Sequence, residues 1–199
     1  MGLYRTRTSS GNYGQNGVLT LTVSDTDGAS DLISTADAKS WLKIDTSDED
    51  DLISDLIDEV TADIENNYQI PVKSKDVTAV WENFGSEVPL PFQPVDSITT
   101  VKTIESDGTE TTLTVDEDYR LVGSRLLIDE VYGYESPYNR TKLEVVYVSA
   151  FDGVPNDIRL ALKKAVLSNF EDRQDVVGGM SVSMLPNSSK KILIKYRKF

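Results

Sequence analysis

The stretch DEDDLISDLIDEVTADIENNYQ, residues 48–69, decides the fold class of the chain around it. Its apolar residues recur three or four positions apart, which is the period of an amphipathic helix. They are Leu52, Ile53, Leu56, Ile57, Val60 and Ile64. We predict a helix over residues 48–66, which ends before Pro71 because the residue preceding a proline disfavours helical geometry.

A shorter helix is predicted immediately before this one. Ser34 and Asp37 have the spacing of a capping box, in which each residue binds the backbone N–H of the other. The helix should cover residues 35–43 and place Trp41 on an apolar face, so core packing is the expected role of this side chain.

The first 33 residues are rich in Gly, Ser, Thr and Asn and contain one strand-like stretch. Leu19, Leu21 and Val23 alternate with polar residues, which is the period of a half-buried strand. We interpret residues 1–33 as an arm that is flexible or is ordered only by contacts with a partner.

Residues 77–150 read as β structure. The sequence ESDG, residues 105–108, separates two β-branched runs and predicts a hairpin with its turn at Asp107 and Gly108. Trp81 lies in a predicted strand and is expected in the core. A third helix is predicted over residues 155–172, because Pro155 suits the first turn of a helix.

The order of these elements predicts an α+β fold. Two N-terminal helices and one long C-terminal helix would form a small helical bundle, with an antiparallel sheet inserted between them. The predicted organisation is an arm at 1–33, one main domain at 34–177, and a hinge with an extended basic C-terminal tail at 178–199.

The composition removes most catalytic and metal-binding chemistry. The chain has neither cysteine nor histidine, so thiol nucleophiles, thiolate metal sites and histidine bases are excluded. We expect no catalytic residue, no metal and no cofactor. The sequence shows neither a signal peptide nor an apolar run long enough for a membrane span, and synthesis in a cytoplasm is expected.

The acidic run beginning at Asp48 has three interpretations. Clustered carboxylates suit a divalent cation, but the run lacks the glycine and the regular alternation of a calcium-binding loop. Carboxylates also favour a helix N-terminus and keep a helix face solvated, which is the simplest interpretation. In repeated copies, the same face would line a channel with negative charge.

The C-terminal segment has the opposite charge to the rest of the chain. The protein carries a net charge of −13, yet its last ten residues include five basic residues and no acidic one. In an extended strand, Ile192, Ile194 and Tyr196 would share one face. Such a strand could add to the sheet edge of an acidic partner, or it could be the last strand of the protein's own sheet.

The order and spacing of five segments resemble the head–tail connector, or adaptor, proteins of tailed bacteriophages. The segments are STADAKSWLKID at 34–45, the acidic helix at 48–69, LPFQPVDSITTVKTIESDGTETTLTVDEDYRL at 90–121, VVYVSAFDGVPNDIRLALKKAVLSNFEDRQD at 145–175, and LPNSSKKILIKYRKF at 185–199. The resemblance runs from Ser34 to the C-terminus, and residues 1–33 depart from the pattern.

The resemblance implies a structural virion protein at the head–tail junction, with no catalytic residues. It implies a ring of about twelve copies under the portal protein, which extends the DNA channel and offers a platform for the next tail, nozzle or stopper protein. DNA would pass through without sequence-specific binding, and no membrane would be involved. The predicted portal-docking tail is Lys190, Lys191, Ile192, Leu193, Ile194, Lys195, Tyr196, Arg197, Lys198 and Phe199, and the candidates to face the channel are Asp48, Glu49, Asp50, Asp51, Asp55 and Asp58.

Two other classes of function are compatible with the sequence. One is a virion or surface β-rich module that binds a protein or a glycan. The other is a hydrolase that uses carboxylates, which would need a cleft holding an acid with a raised pKa.

Overall fold

The computed structural model describes residues 5–9, 19–82, 84–129, 141–171, 176–177, 180–181 and 185–196. The chain divides into two compact units. The β unit combines residues 1–29 with 73–151, and the helical unit combines residues 30–72 with 152–199. The predicted α+β class, with helices and antiparallel sheets, is confirmed. The predicted division into an arm, one main domain and a tail differs from this partition.

Two antiparallel sheets form the described part of the β unit. The larger sheet has six strands in the order β1-β2-β3-β9-β5-β6, and the smaller has three in the order β4-β8-β7. The strands are β1 Arg5–Ser9, β2 Leu19–Asp25, β3 Lys75–Glu82, β4 Glu87–Pro89, β5 Val95–Ile104, β6 Glu110–Thr112, β7 Tyr119–Val122, β8 Arg125–Ile128 and β9 Lys142–Ser149.

The core of the β unit follows from the alternation along its central strands. Buried and partly exposed residues alternate in β3 and β9, and the register places Trp81 opposite Leu143. Trp81 is fully buried, so its predicted place in the core is confirmed. The predicted hairpin is also present, with β5 paired to β6 and Gly108 at φ 89° in the turn, where glycine carries no steric penalty.

The N-terminal segment differs from the prediction of an arm ordered by a partner. Over residues 19–25, β2 pairs along its whole length with β3 of the same chain. Leu21 is buried on the core side, and the half-exposed Asp25 pairs with the buried ammonium group of Lys75. Residues 19–25 are therefore an integral part of the sheet. Residues 1–4 and 10–18 lie outside the described residues.

Four helices are present in the described part of the helical unit. They are α1 Thr35–Leu42, α2 Asp50–Tyr68, α3 Asn156–Glu171 and α4 Asn187–Leu193. The first three correspond to predictions at 35–43, 48–66 and 155–172. Helix α3 contacts each of the other three helices. Two short strands, β10 Val176–Val177 and β11 Met180–Ser181, pair antiparallel between α3 and α4.

The helices form where the sequence pattern placed them. In α1 the capping box is complete: the Asp37 N–H donates to the Ser34 hydroxyl at 3.0 Å, and the Ser34 N–H donates to the Asp37 carboxylate at 3.2 Å. In α2 the predicted apolar stripe is the packed face, with Ile53 and Ile64 fully buried. Each helix in the described ranges is too short or too polar to span a membrane.

The extended conformation predicted for the C-terminal tail is wrong for residues 187–196. Residues 187–193 form α4, and hydrogen-bonded turns continue to Tyr196. The physical reason is a helical stripe in which Leu185, Ser189 and Leu193 are spaced four residues apart and are all buried. The helix therefore packs on its own unit and does not form a sheet edge.

Candidate docking and channel surfaces

Several carboxylates near the start of α2 are exposed, away from its buried stripe, whereas Glu65 near its end is buried. Asp51 and Asp55 are exposed, and Asp48 is exposed just before the helix begins. The spacing of Asp51 and Asp55 by four residues places them on one face. We call Asp48, Asp51 and Asp55 the acidic face of α2.

The other three predicted channel residues have roles within the chain. The Asp50 carboxylate lies 2.6 Å from the ammonium group of Lys39 on α1. Glu49 and Asp58 also take part in interactions within the chain. Of the six predicted carboxylates, Asp48, Asp51, Asp55 and Asp58 are therefore exposed, and Asp50 forms an ion pair with α1.

The cation-site interpretation of the acidic run finds no support in the geometry. Within the described ranges, no group of three or more acidic residues is arranged so that it could hold a metal ion. Asp50 and Asp51 lie in the first turn of α2, where negative charge interacts favourably with the helix dipole.

Two side-chain hydrogen bonds join α4 and the turn after it to α3. The buried Ser189 hydroxyl donates to the Ala161 carbonyl at 2.9 Å, and Leu193 is fully buried. The Tyr196 hydroxyl donates to the Asp157 carboxylate at 2.5 Å. This hydrogen bond is the main cause that raises the pKa of Tyr196 above 10.0, because it stabilises the protonated phenol.

The opposite side of α4 carries its positive charge outward. Lys191 on α4, and Ile194 and Lys195 in the turn that follows it, are exposed, and Ile194 keeps 60% of its surface in solvent. We call these three residues the basic face of α4. Of the remaining predicted tail residues, Lys190 lies near Asp63 on α2. Burial raises the pKa of the Asp63 carboxyl, and the hydrogen bond from Asn67 and the charge of Lys190 offset this only in part. Arg197, Lys198 and Phe199 lie outside the described residues.

Trp41 does not have the core position that its sequence context predicts. Its side chain is 43% exposed, and the Lys163 ammonium group of α3 lies 6.0 Å from the centre of its ring. The surroundings of the Trp41 side chain depend on how α3 packs beside α1, which the apolar periodicity within α1 cannot predict. The available sequence signal was the polar Asp37 one helical turn before Trp41.

The model of a protein family described as phage gp6-like head-tail connector protein matches residues 4–119. This chain belongs to that family, and its role is that of a structural connector at the head–tail junction of the virion. The match begins in the segment that we predicted to depart from the family, so that prediction is wrong for residues 4–33.

Solved neck structures have a similar fold. One, titled neck of empty GTA particle computed with C6 symmetry, is 19% identical with a TM-score of 0.66, covering 84% of this chain and 90% of that one. Another, titled neck of native GTA particle computed with C12 symmetry, is 17% identical with a TM-score of 0.61, covering 89% of this chain and 95% of that one.

A third similar structure is titled virion of native gene transfer agent (GTA) particle. It is 18% identical with a TM-score of 0.61 and covers 84% of this chain and 90% of that one. A comparison with curated protein sequences finds no match.

Proposed function

We propose that this connector forms a ring, of about twelve copies, that binds beneath the portal protein and extends the DNA channel toward the tail. The observation that carries the proposal is membership of the connector family over residues 4–119. The likeness to neck structures computed with C6 and C12 symmetry supports a cyclic assembly. The far side of the ring would receive the next tail, nozzle or stopper protein. Within each copy, the helices of the helical unit would form a small bundle.

The acidic face of α2 is proposed to line the channel. Three exposed carboxylates per copy, repeated around a ring, would give the lumen a negative potential that repels passing DNA. DNA would then slide without binding, and no base sequence would be preferred. Asp51→Lys with Asp55→Lys should convert a ring with no measurable affinity for DNA into one that binds it, and added salt should weaken that binding.

The basic face of α4 is proposed to dock on the portal protein. Lys191 and Lys195 are exposed and separated by one helical turn, with Ile194 between them. This arrangement offers an apolar contact flanked by two charges, which suits an acidic surface on the partner. The three residues that follow Tyr196 would extend the same contact. No catalytic step, cofactor or membrane enters this function.

A co-expression pull-down with the portal protein of the same particle tests the docking proposal. Wild-type chain should capture portal, and Lys191→Glu with Lys195→Glu should lose it. Lys43→Glu with Arg120→Glu is the matched control, because it changes the same charge at two other exposed positions. Portal capture by both variants would remove α4 from the interface, and failure of the wild-type chain to capture portal would contradict the proposed function.

A further inference from the structure

One loop of the β unit presents an apolar side chain and two carboxylates to solvent. In the loop between β6 and β7, Val115 is 56% exposed and is followed by the exposed Asp116 and Glu117. Within the described ranges, neither carboxylate has an ion-pair partner. We call Val115, Asp116 and Glu117 the acidic knob.

The acidic knob is held in one conformation by hydrogen bonds at its base. The Asp118 carboxylate accepts from the Thr114 N–H at 2.7 Å, the Asp118 N–H donates to the Thr114 carbonyl at 2.9 Å, and the Asp116 N–H donates to the Tyr119 carbonyl at 2.8 Å. A loop fixed in this way loses little conformational entropy when it binds a partner.

The backbone of the acidic knob is also strained. Asp116 has a φ of 66°, which is the left-handed region that non-glycine residues rarely occupy. Its side chain does not compensate for this strain by binding a basic group among the described residues.

A surface of the helical unit has the complementary composition. The Lys163 ammonium group lies 6.0 Å from the centre of the ring of Trp41, which is 43% exposed, and the exposed Arg159 lies four residues before Lys163, on the same face of α3. Asp37 is already bound in the capping box of α1. Trp41, Arg159 and Lys163 therefore form a patch with an aromatic centre and two cations, which we call the tryptophan patch.

We propose that the acidic knob of one copy binds the tryptophan patch of the next copy in the ring. Two apolar side chains would meet, Val115 and Trp41, while Asp116 and Glu117 face Arg159 and Lys163. Exposed tryptophan and arginine are the residue types that most often dominate binding energy at protein interfaces. Charges of opposite sign on the two surfaces would fix the register of the contact.

The proposal is compatible with a cyclic assembly. The two surfaces are different and both are exposed, so the knob of each copy is available to the patch of another. A contact between two unlike surfaces adds copies head to tail, and it gives a ring where the rotation between neighbours closes and an open filament where it does not. The inference rests on the proposed ring, and it names the surfaces through which neighbouring copies meet.

A charge exchange tests this contact in rings obtained by co-expression with the portal protein. Arg159→Glu with Lys163→Glu, and separately Asp116→Lys with Glu117→Lys, should each lower the fraction of chain found in rings at least about ten-fold. Combining all four substitutions should restore most of the assembly. Native mass spectrometry counts the copies, and urea unfolding confirms that each variant is folded.

Two controls separate this contact from general charge effects. Lys43→Glu with Arg120→Glu, and Asp96→Lys with Glu105→Lys, make the same charge changes at other exposed positions and should assemble normally. Because the chain has no cysteine, a chain carrying Trp41→Cys and Val115→Cys should give a ladder of disulfide-linked copies on oxidation.

The outcomes distinguish the inference from the function on which it rests. If the wild-type chain forms rings and both charge-reversed double variants also assemble fully, the knob-and-patch contact is overturned and the ring is left intact. The same holds if the variant with all four substitutions assembles no better than either double variant. If the chain carrying Trp41→Cys and Val115→Cys forms rings of the wild-type size but gives no disulfide-linked ladder on oxidation, the contact is also overturned. Absence of any ring from the wild-type chain would overturn the contact and the proposed function together.

Discussion

Replacing Leu193 by alanine tests whether the C-terminal segment is a packed helix. Leu193 is fully buried in the helical unit, whereas the adjacent Ile194 is 60% exposed. Truncating a buried leucine costs about 2–5 kcal/mol, through lost transfer free energy and the cavity that remains. Because Leu193 is the last residue of α4, where neighbours can partly collapse into the space, we expect about 3 kcal/mol.

Ile194→Ala is the matched control, since surface truncations usually change stability by less than about 0.5 kcal/mol. Urea unfolding followed by ellipticity at 222 nm gives both free energies, and this signal reports mainly on the helices. An extended tail with Ile192, Ile194 and Tyr196 on its packed face would reverse the order. Equal losses, or a greater loss for Ile194→Ala, would refute the helical packing of α4.

Two further substitutions have defined effects on stability. Ser34→Ala removes the hydroxyl that caps α1 and should cost about 1 kcal/mol of stability. Thermal unfolding measures this loss, with Ser40→Ala at an exposed position of the same helix as the control. Equal effects of the two substitutions would contradict the capping role. Tyr147→Phe removes the buried hydroxyl that donates to the Pro91 carbonyl and should cost about 1 kcal/mol at neutral pH. Burial raises the pKa of Tyr147 well above 10.0. As the pH rises through about 10, the unfolded chain therefore ionises this phenol while the folded chain keeps it neutral. The free energy of unfolding of the wild-type chain falls as a result. The difference between wild type and Tyr147→Phe should therefore shrink between about pH 8 and pH 11; a constant difference would contradict the stated cause of the shift.

Local patterns were sufficient for several parts of the fold. The stripe from Ile53 to Ile64 is long enough to identify a helix by period alone, and the pair Ser34 and Asp37 fixes the start of α1 within one turn. The hairpin at Gly108 follows from a turn residue between two β-branched runs. In each case the interaction that decides the structure joins residues close together in the sequence.

The remaining parts depend on contacts between distant residues. Periodicity identified a strand at residues 19–25 but could not show that its partner is β3, fifty or more residues away. In the tail, a short apolar run fits a strand or a helix equally well. The buried Leu185, Ser189 and Leu193 give the helical period only when residues before the basic run are included.

The candidate surfaces were predicted in outline and corrected in detail. The acidic and basic segments were visible in the sequence, but their division into exposed and engaged residues was not. Lys39 neutralises Asp50 from a different helix, and Lys163 of α3 reaches the ring of Trp41. Both contacts depend on how the helices pack, which the pattern within a single helix does not contain.

Removing this chain from particle assembly tests its role as a connector most directly. Electron microscopy of lysates made without the chain should show DNA-filled heads and free tails that have not joined. Adding the purified wild-type chain should restore complete particles, and adding a variant that folds but does not assemble should not. Normal yields of tailed particles in the absence of the chain would contradict the account.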